Sequence, residues 1–226
     1  EYGGIVGRPV LTACIDAYSS LCCGYALTWE GGMYSLRQLM LNVVTDKQEL
    51  CRKHGININS QEWDSSMCLG VLVTDQGAEY VGNCFEQIAE LGIKVINLPV
   101  YRPELKGTVE KFFSIIQDLF RPYLKGRGLI EPDFQERGVH DYRKDACLTL
   151  EQFEKVLIRC IIYYNSQRII ENFPYTADML ENKVAPYAND IFKYGMNLEG
   201  VNLVKVDKRQ LILTLLPRTM GKFTRS

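Results

Sequence analysis

The stretch Leu69-Gly70-Val71-Leu72-Val73-Thr74-Asp75 is a continuous apolar run with a polar end, and Gln76-Gly77 turns the chain behind it. A run of this length without alternation predicts a strand buried on both faces, as in sheets covered by helices. Downstream, Phe85, Ile88, Ala89 and Leu91 predict a short helix closed by Gly92. Lys94-Val95-Ile96-Asn97-Leu98 predicts a further strand before the irregular Pro99-Val100-Tyr101-Arg102-Pro103. Upstream, Val10 to Ala17 and Leu21 to Trp29 read as strands joined by the short polar link Tyr18-Ser19-Ser20, an antiparallel hairpin. Met33, Leu36, Leu39, Met40, Val43 and Val44 then recur at helical spacing, with Gly55 as the C-terminal stop. Residues 56–68 are a polar loop with a single Trp63.

Beyond residue 106 the pattern is helical. Val109, Phe112, Phe113, Ile116 and Phe120 share one side of a helix over 107–123. A charged loop over 125–146 precedes a second helix over 150–170, with Phe153, Val156, Leu157, Cys160, Ile161 and Tyr164 on its apolar side. After Pro186 the pattern weakens, and 201–206 and 210–216 read as short extended or irregular pieces ahead of Pro217. The order of elements predicts an α/β fold, a mixed central sheet flanked by helices. No internal repeat or low-complexity tract is present.

Bulk composition bounds the function. With 226 residues, 46% of them hydrophobic and 23% charged, the chain holds one sizeable domain, or one plus a small appendage, and is not of disordered composition. No apolar run approaches the roughly 18–20 residues that a membrane span needs, and Glu1-Tyr2-Gly3-Gly4 has no signal-peptide character, so a cytosolic protein is expected. The eight cysteines include no C-x-x-C pair, and His54 and His140 lie far from any cysteine doublet, which argues against zinc. Cys14, Cys22, Cys23, Cys84 and Cys160 sit in apolar patterns and are expected as buried thiols. The net charge of −1 is unevenly placed: Lys205, Lys208, Arg209, Arg218, Lys222 and Arg225 face only Asp207 in residues 201–226. A basic tail on an acidic core suits phosphate binding; a solvated basic terminus reads equally well.

Two acids stand where chemistry is usually done. Asp75 ends the buried strand, and the carboxyl ends of strands line the ligand crevice in α/β sheets, although Asp-x-Gly also forms turns. Glu110 lies in the first turns of the 107–123 helix, where an acid also serves the helix dipole. The two are 35 positions apart, separated by helix, strand and loop.

In combination these segments resemble the DDE family of transposases and retroviral integrases. Thr74-Asp75-Gln76-Gly77-Ala78-Glu79-Tyr80 is similar to that family's T-D-x-G-x-E-[FY] segment. Pro99 through Glu110, with Pro103, Lys106, Gly107 and Val109, is similar to its P-x-x-x-P-x-x-K-G-x-[VI]-E segment. Ile15-Asp16-Ala17-Tyr18-Ser19 is similar to the hairpin motif [VI]-D-x-[FY]-S of the second strand. Within the family the likeness is to TnsB-type transposases, with Mu transposase more distant. Gly7-Arg8-Pro9, the insert 46–68 with His54-Gly55 and Trp63, Asp141-Tyr142-Arg143 and Leu216-Pro217-Arg218 support that subgroup.

The resemblance implies an RNase H-like integrase core over residues 1–184, N-terminally truncated and lacking its first strand. A linker and the start of a C-terminal β-barrel module would occupy 185–226. It implies two Mg²⁺ (or Mn²⁺) ions about 4 Å apart, held by three carboxylates of which Asp75 and Glu110 are two. Cleavage at transposon ends and attack of the freed 3′-hydroxyl on target DNA would follow, with Arg102, Lys106 and Lys111 contacting phosphates unless they are ordinary surface charge. The first Asp is expected upstream of Glu1, with Asp16 as the fallback, so the 226-residue chain alone is expected to be inactive. Expected partners are DNA, other transposition proteins and further copies assembled on DNA, in a cytoplasmic, nucleoid-associated setting without membrane. A catalytically silent RNase H-like module that binds DNA or proteins, and a metal-dependent nuclease on the same fold, remain open.

Overall fold

The computed structural model describes residues 4–66, 68–74, 87–97, 107–130, 141–201 and 203–216. The hairpin forms as expected, from β1 (Val10–Ile15) and β2 (Cys22–Thr28), antiparallel. Its link is closed by Asp16, whose Oδ2 accepts from the Ser19 N–H at 2.7 Å and the Ser19 hydroxyl at 2.6 Å. Pairing runs from Val10↔Thr28 to Cys14↔Gly24 and then shifts, so that Ile15 faces Cys22 and Cys23 is the extra residue. A bulge resets the two-residue alternation. Cys22 therefore joins Tyr25 and Leu27 in one core, and its neighbour Cys23 joins Ala26 in another. From Cys22 to Leu27 the strand is buried throughout.

Helix α1 (Met33–Val44) covers the second face of the hairpin through Leu39 and Val43. Its approach needs Gly24: a Cβ there would stand 2.8 Å from Val43 Cγ2 and 3.0 Å from the Val43 backbone nitrogen. The single helix expected from Met33 to Gly55 is two. Thr45 is extended, and Asp46 caps a second helix, α2 (Lys47–Lys53), by accepting from the Glu49 N–H at 2.7 Å. Gly55 ends this second helix at φ 70°. Lys47 is 2% exposed and turns its ammonium onto the last carbonyls of α1, those of Asn42, Val43 and Thr45. It thereby satisfies acceptors that a helix end leaves orphaned.

The polar loop after α2 lies against the core. Trp63 is 1% exposed and donates its indole N–H to the Cys22 carbonyl at 2.8 Å. A short strand, β3 (Cys68–Leu69), then leads to β4 (Val71–Thr74). β4 pairs in parallel with β5 (Lys94–Asn97), Leu72 opposite Val95, after a helical turn at 87–89 closed by Gly92 at φ 81°. The run is buried on one face and not two: Leu72 is covered, whereas Val71 and Val73 stay 42% and 49% exposed. Their ladder partners Lys94 and Ile96 are exposed as well.

Two long helices cover the first face of the hairpin. They are α3 (Gly107–Leu124), with Phe112, Ile116, Phe120 and Leu124 at four-residue spacing on its buried side, and α4 (Leu150–Ser166). Phe112 meets Tyr164 and Phe120 meets Phe153, so the helices run antiparallel. α4 starts at a capping box made by Thr149 and Gln152 and stops at Ser166, short of the expected Ile170. Asn165, fully buried within it, accepts from the Cys22 N–H at 2.9 Å and donates to the Cys22 carbonyl at 3.2 Å.

Two shorter helices follow, α5 (Ala177–Glu181) and α6 (Ala188–Met196). Ala188 and Phe192 of α6 enter the core beneath α1, and Asn189 holds the 60–64 loop through its amide. β6 (Leu203–Val204) pairs antiparallel with β3. The stretch 210–216, expected to be extended or irregular, belongs to α7 (Lys208–Thr214), capped by Asp207. Lys205, Lys208 and Arg209 face outward as expected. Leu211 and Leu215 are buried with Leu36, Met40 and Leu72, so the segment packs against the core.

Gly24→Ala is expected to destabilise the fold by about 1–3 kcal/mol, because α1 must shift away from β2; a urea titration with an unchanged midpoint would refute the close approach. Burial lowers the Lys47 amine from 10.5 to about 8. Below about 8 the folded and unfolded chains both hold that proton; between 8 and 10.5 the unfolded chain holds more, so stability from this group rises with pH. Melting temperatures of the wild type should therefore gain on those of Lys47→Met across that window.

Candidate active site at the start of the long helix

The amphipathic pattern of α3 decides what its first turn can present. With Phe112 and Ile116 turned to the core, Glu110 and Lys111 fall on the solvent side, and both are exposed. Gly107 opens the helix, and a Cβ added there would meet no atom of the described residues within 4 Å. The end of β4 lies immediately before Asp75. Asp75 itself, Arg102 and Lys106 lie outside the described residues.

Three pieces of chain meet at the end of the molecule where α3 begins. Phe112 touches Tyr164 edge-on with ring centroids 5.0 Å apart, which brings the end of α4 beside the start of α3. Asn165, the next residue, ties the Cys22 backbone to the same place. The Asp16 turn directly precedes that strand. Asp16 is committed to this turn through Ser19. The sequence places Tyr164 on the apolar side of this helix but does not single out Asn165 or Arg168. The available signal was a polar Asn165 inside the apolar stripe of α4, since a buried amide is kept where it satisfies backbone groups.

Among the described residues no group of three or more His, Cys, Asp or Glu side chains could hold a metal ion. The hard oxygen donor that Mg²⁺ prefers is present at Glu110. Cys14, Cys22, Cys23 and Cys160 are buried free thiols, as expected, and Cys51 joins them; Cys84 lies outside the described residues. Burial pushes the Cys51 and Cys160 thiols up to about 11 and raises Cys22 further, so they pack as small apolar groups. No helix among the described residues is long and apolar enough to cross a membrane.

A buried hairpin with helices on both faces, and a separate parallel strand pair packed against α1 through Leu72, define a mixed α/β layer protein. The family model of the TnsB C-terminal domain matches residues 1–126, and the chain belongs to that family. The chain is 28% identical over 216 residues to the transposon Tn7 transposition protein TnsB of Escherichia coli, covering 95% of this chain and 30% of that protein. It is 23% identical over 213 residues to the transposase for transposon Tn552 of Staphylococcus aureus, covering 87% of this chain and 41% of that one. The chain thus spans less than half the length of either relative. Among solved structures, the catalytic core domain of BIV integrase aligns at 14% identity and a TM-score of 0.47, covering 83% of this chain and 88% of that chain. A simian T-cell lymphotropic virus intasome chain aligns at 13% identity and 0.44, covering 76% and 52%.

The Asp16 turn yields a test that separates structure from chemistry. Asp16→Ala removes the acceptor of both Ser19 donors and is expected to cost about 1–3 kcal/mol, Ser19 being fully buried. Asp16→Asn keeps one acceptor oxygen and should cost less. Equal stability of both variants and the wild type in denaturant would show that the turn does not depend on this side chain.

Proposed function

We propose that this chain is the catalytic core of a DDE-type transposase, on an RNase H-like fold, which cuts at transposon ends and joins the freed 3′-hydroxyl to target DNA. The observation that supports this reading best is the placement of two acids at two element ends. Asp75 directly follows the parallel strand β4, and Glu110 stands exposed in the first turn of α3. The carboxyl ends of parallel strands line the crevice in which α/β proteins bind ligands. Asp75 and Glu110 would hold the metal, a pair of Mg²⁺ or Mn²⁺ ions. Such ions, when bound, make a water or hydroxyl nucleophilic near neutral pH and stabilise the leaving oxygen.

The remaining roles belong to the chain's own side chains. Lys111, exposed beside Glu110, would with Arg102 and Lys106 neutralise the backbone of the bound DNA end and set its register. Gly107, which has no side chain, would let that backbone approach the helix closely. The Oδ2 of Asp16 accepts from the Ser19 N–H and hydroxyl, so the role proposed for Asp16 is to shape the hairpin turn. Transposon ends, target DNA and other transposition proteins are the proposed partners, in an assembly of several copies on DNA.

In a chain competent for strand transfer, Asp75→Asn or Glu110→Gln should lower cleavage and joining by roughly a thousandfold or more, the several kcal/mol that metal-assisted charge stabilisation supplies. DNA binding should be largely retained, since an amide keeps the shape and removes the charge. Asp16→Asn should retain activity. Hydrolysis without joining would make the protein a nuclease, and DNA binding without any metal-dependent cleavage would make it a silent module.

A further inference from the structure

We infer that Arg168 is a positioning residue for the first turn of α3, and thus for Glu110; the second half of this inference rests on the function proposed above. The N–H groups of Gln167 and Arg168 both donate to the Tyr163 carbonyl, at 2.9 and 3.0 Å, and this turns the chain back across the end of α4. The turn sets the Arg168 guanidinium 4.4 Å from the centroid of the Tyr164 ring. Tyr164 is 1% exposed and packs edge-on against Phe112, which is fully buried and lies two residues beyond Glu110. A continuous stack therefore runs from a cation, through two aromatic rings, to the turn that presents the acid.

The chemistry of Arg168 fits this task better than that of a surface cation. Among the described residues its Nε is buried without a hydrogen-bond partner, an unfavourable state for a guanidinium N–H. Cation–π attraction to Tyr164 offsets part of that cost and acts only while the guanidinium lies over the ring. A lysine could keep the charge but not the flat stacking surface. Tyr164 cannot move freely in response, because the neighbouring Asn165 is bonded to the Cys22 backbone. The start of α3 is thus held from the α4 side by a stack whose outermost member is Arg168.

The test uses hydrogen exchange on the chain itself and strand-transfer kinetics in a chain competent for the reaction. In Arg168→Gln, amides 111–114 should exchange faster, while amides 156–162 of α4 keep their protection. The kcat of strand transfer should fall roughly ten- to a hundredfold, the usual effect of a small misplacement of a reacting group, with little change in KM for DNA. Arg168→Lys, the milder variant should Arg168→Gln fail to fold, should show the same pattern with a smaller amplitude. Unchanged exchange at 111–114, or an equal loss across α3 and α4, would overturn the inference, since the second result marks plain destabilisation. Faster exchange at 111–114 in a protein whose wild type performs no strand transfer would uphold the anchoring and remove the proposed function.

Discussion

The architecture depends on how one peptide unit is satisfied. Beside the bulge in β2 the Cys22 N–H and carbonyl find their partners on side chains, and they lie in the interior, where an unpaired N–H or carbonyl is costly. Asn165 takes the N–H and returns a donor to the carbonyl, and the Trp63 indole supplies a second donor to the same oxygen. An asparagine from α4 and a tryptophan from a loop are thus bound to one strand position. Through them α4, the hairpin and the 56–66 loop are held in one arrangement. Because Tyr164 and Phe112 sit beside Asn165, the start of α3 inherits its position from this node.

The same logic accounts for the layout of polar groups inside the molecule. Lys47 is buried because the end of α1 offers it three carbonyls, and its ammonium also lies 5.5 Å from the Trp63 ring centroid. Asn189 is buried because the 60–64 loop offers it a carbonyl and an N–H. Lys47, Asn165 and Asn189 therefore each join two segments that apolar contact alone would leave free to slide, a specificity role rather than a gain in burial.

Legibility in the sequence followed the range of the interaction concerned. The β1–β2 hairpin and α3 were readable because turn chemistry and a four-residue apolar ridge are local. The break between α1 and α2 was hidden by an apolar period that ran through it, although Asp46 three residues before Glu49 is a helix-start signal. Leu211, Ile212 and Leu213 suited a strand or a helix equally; only Asp207 as a cap distinguished them. Trp63 in a polar loop and Asn165 in an apolar stripe gave no local hint of their common partner, Cys22. At the candidate site, Glu110 was legible from its segment and stands where a solvent-facing acid should. Asp75, Arg102 and Lys106 were legible as sequence and lie outside the described residues.

The bulge also bears on which length changes β2 can absorb. Residues Tyr25 and Leu27 face one core and Ala26 the other, so removing any one of them would move every side chain on one side of the gap to the opposite face. Removing Cys23 is different: Cys22 and Gly24 would become neighbours on opposite faces, which is the regular alternation of a strand. The loss would be one small apolar side chain and the bond from the Ser65 hydroxyl to the Cys23 carbonyl. Lineages that vary in length within this strand should therefore do so at the cysteine pair, making the paired cysteines a tolerance point in an otherwise rigid reading frame of alternating faces.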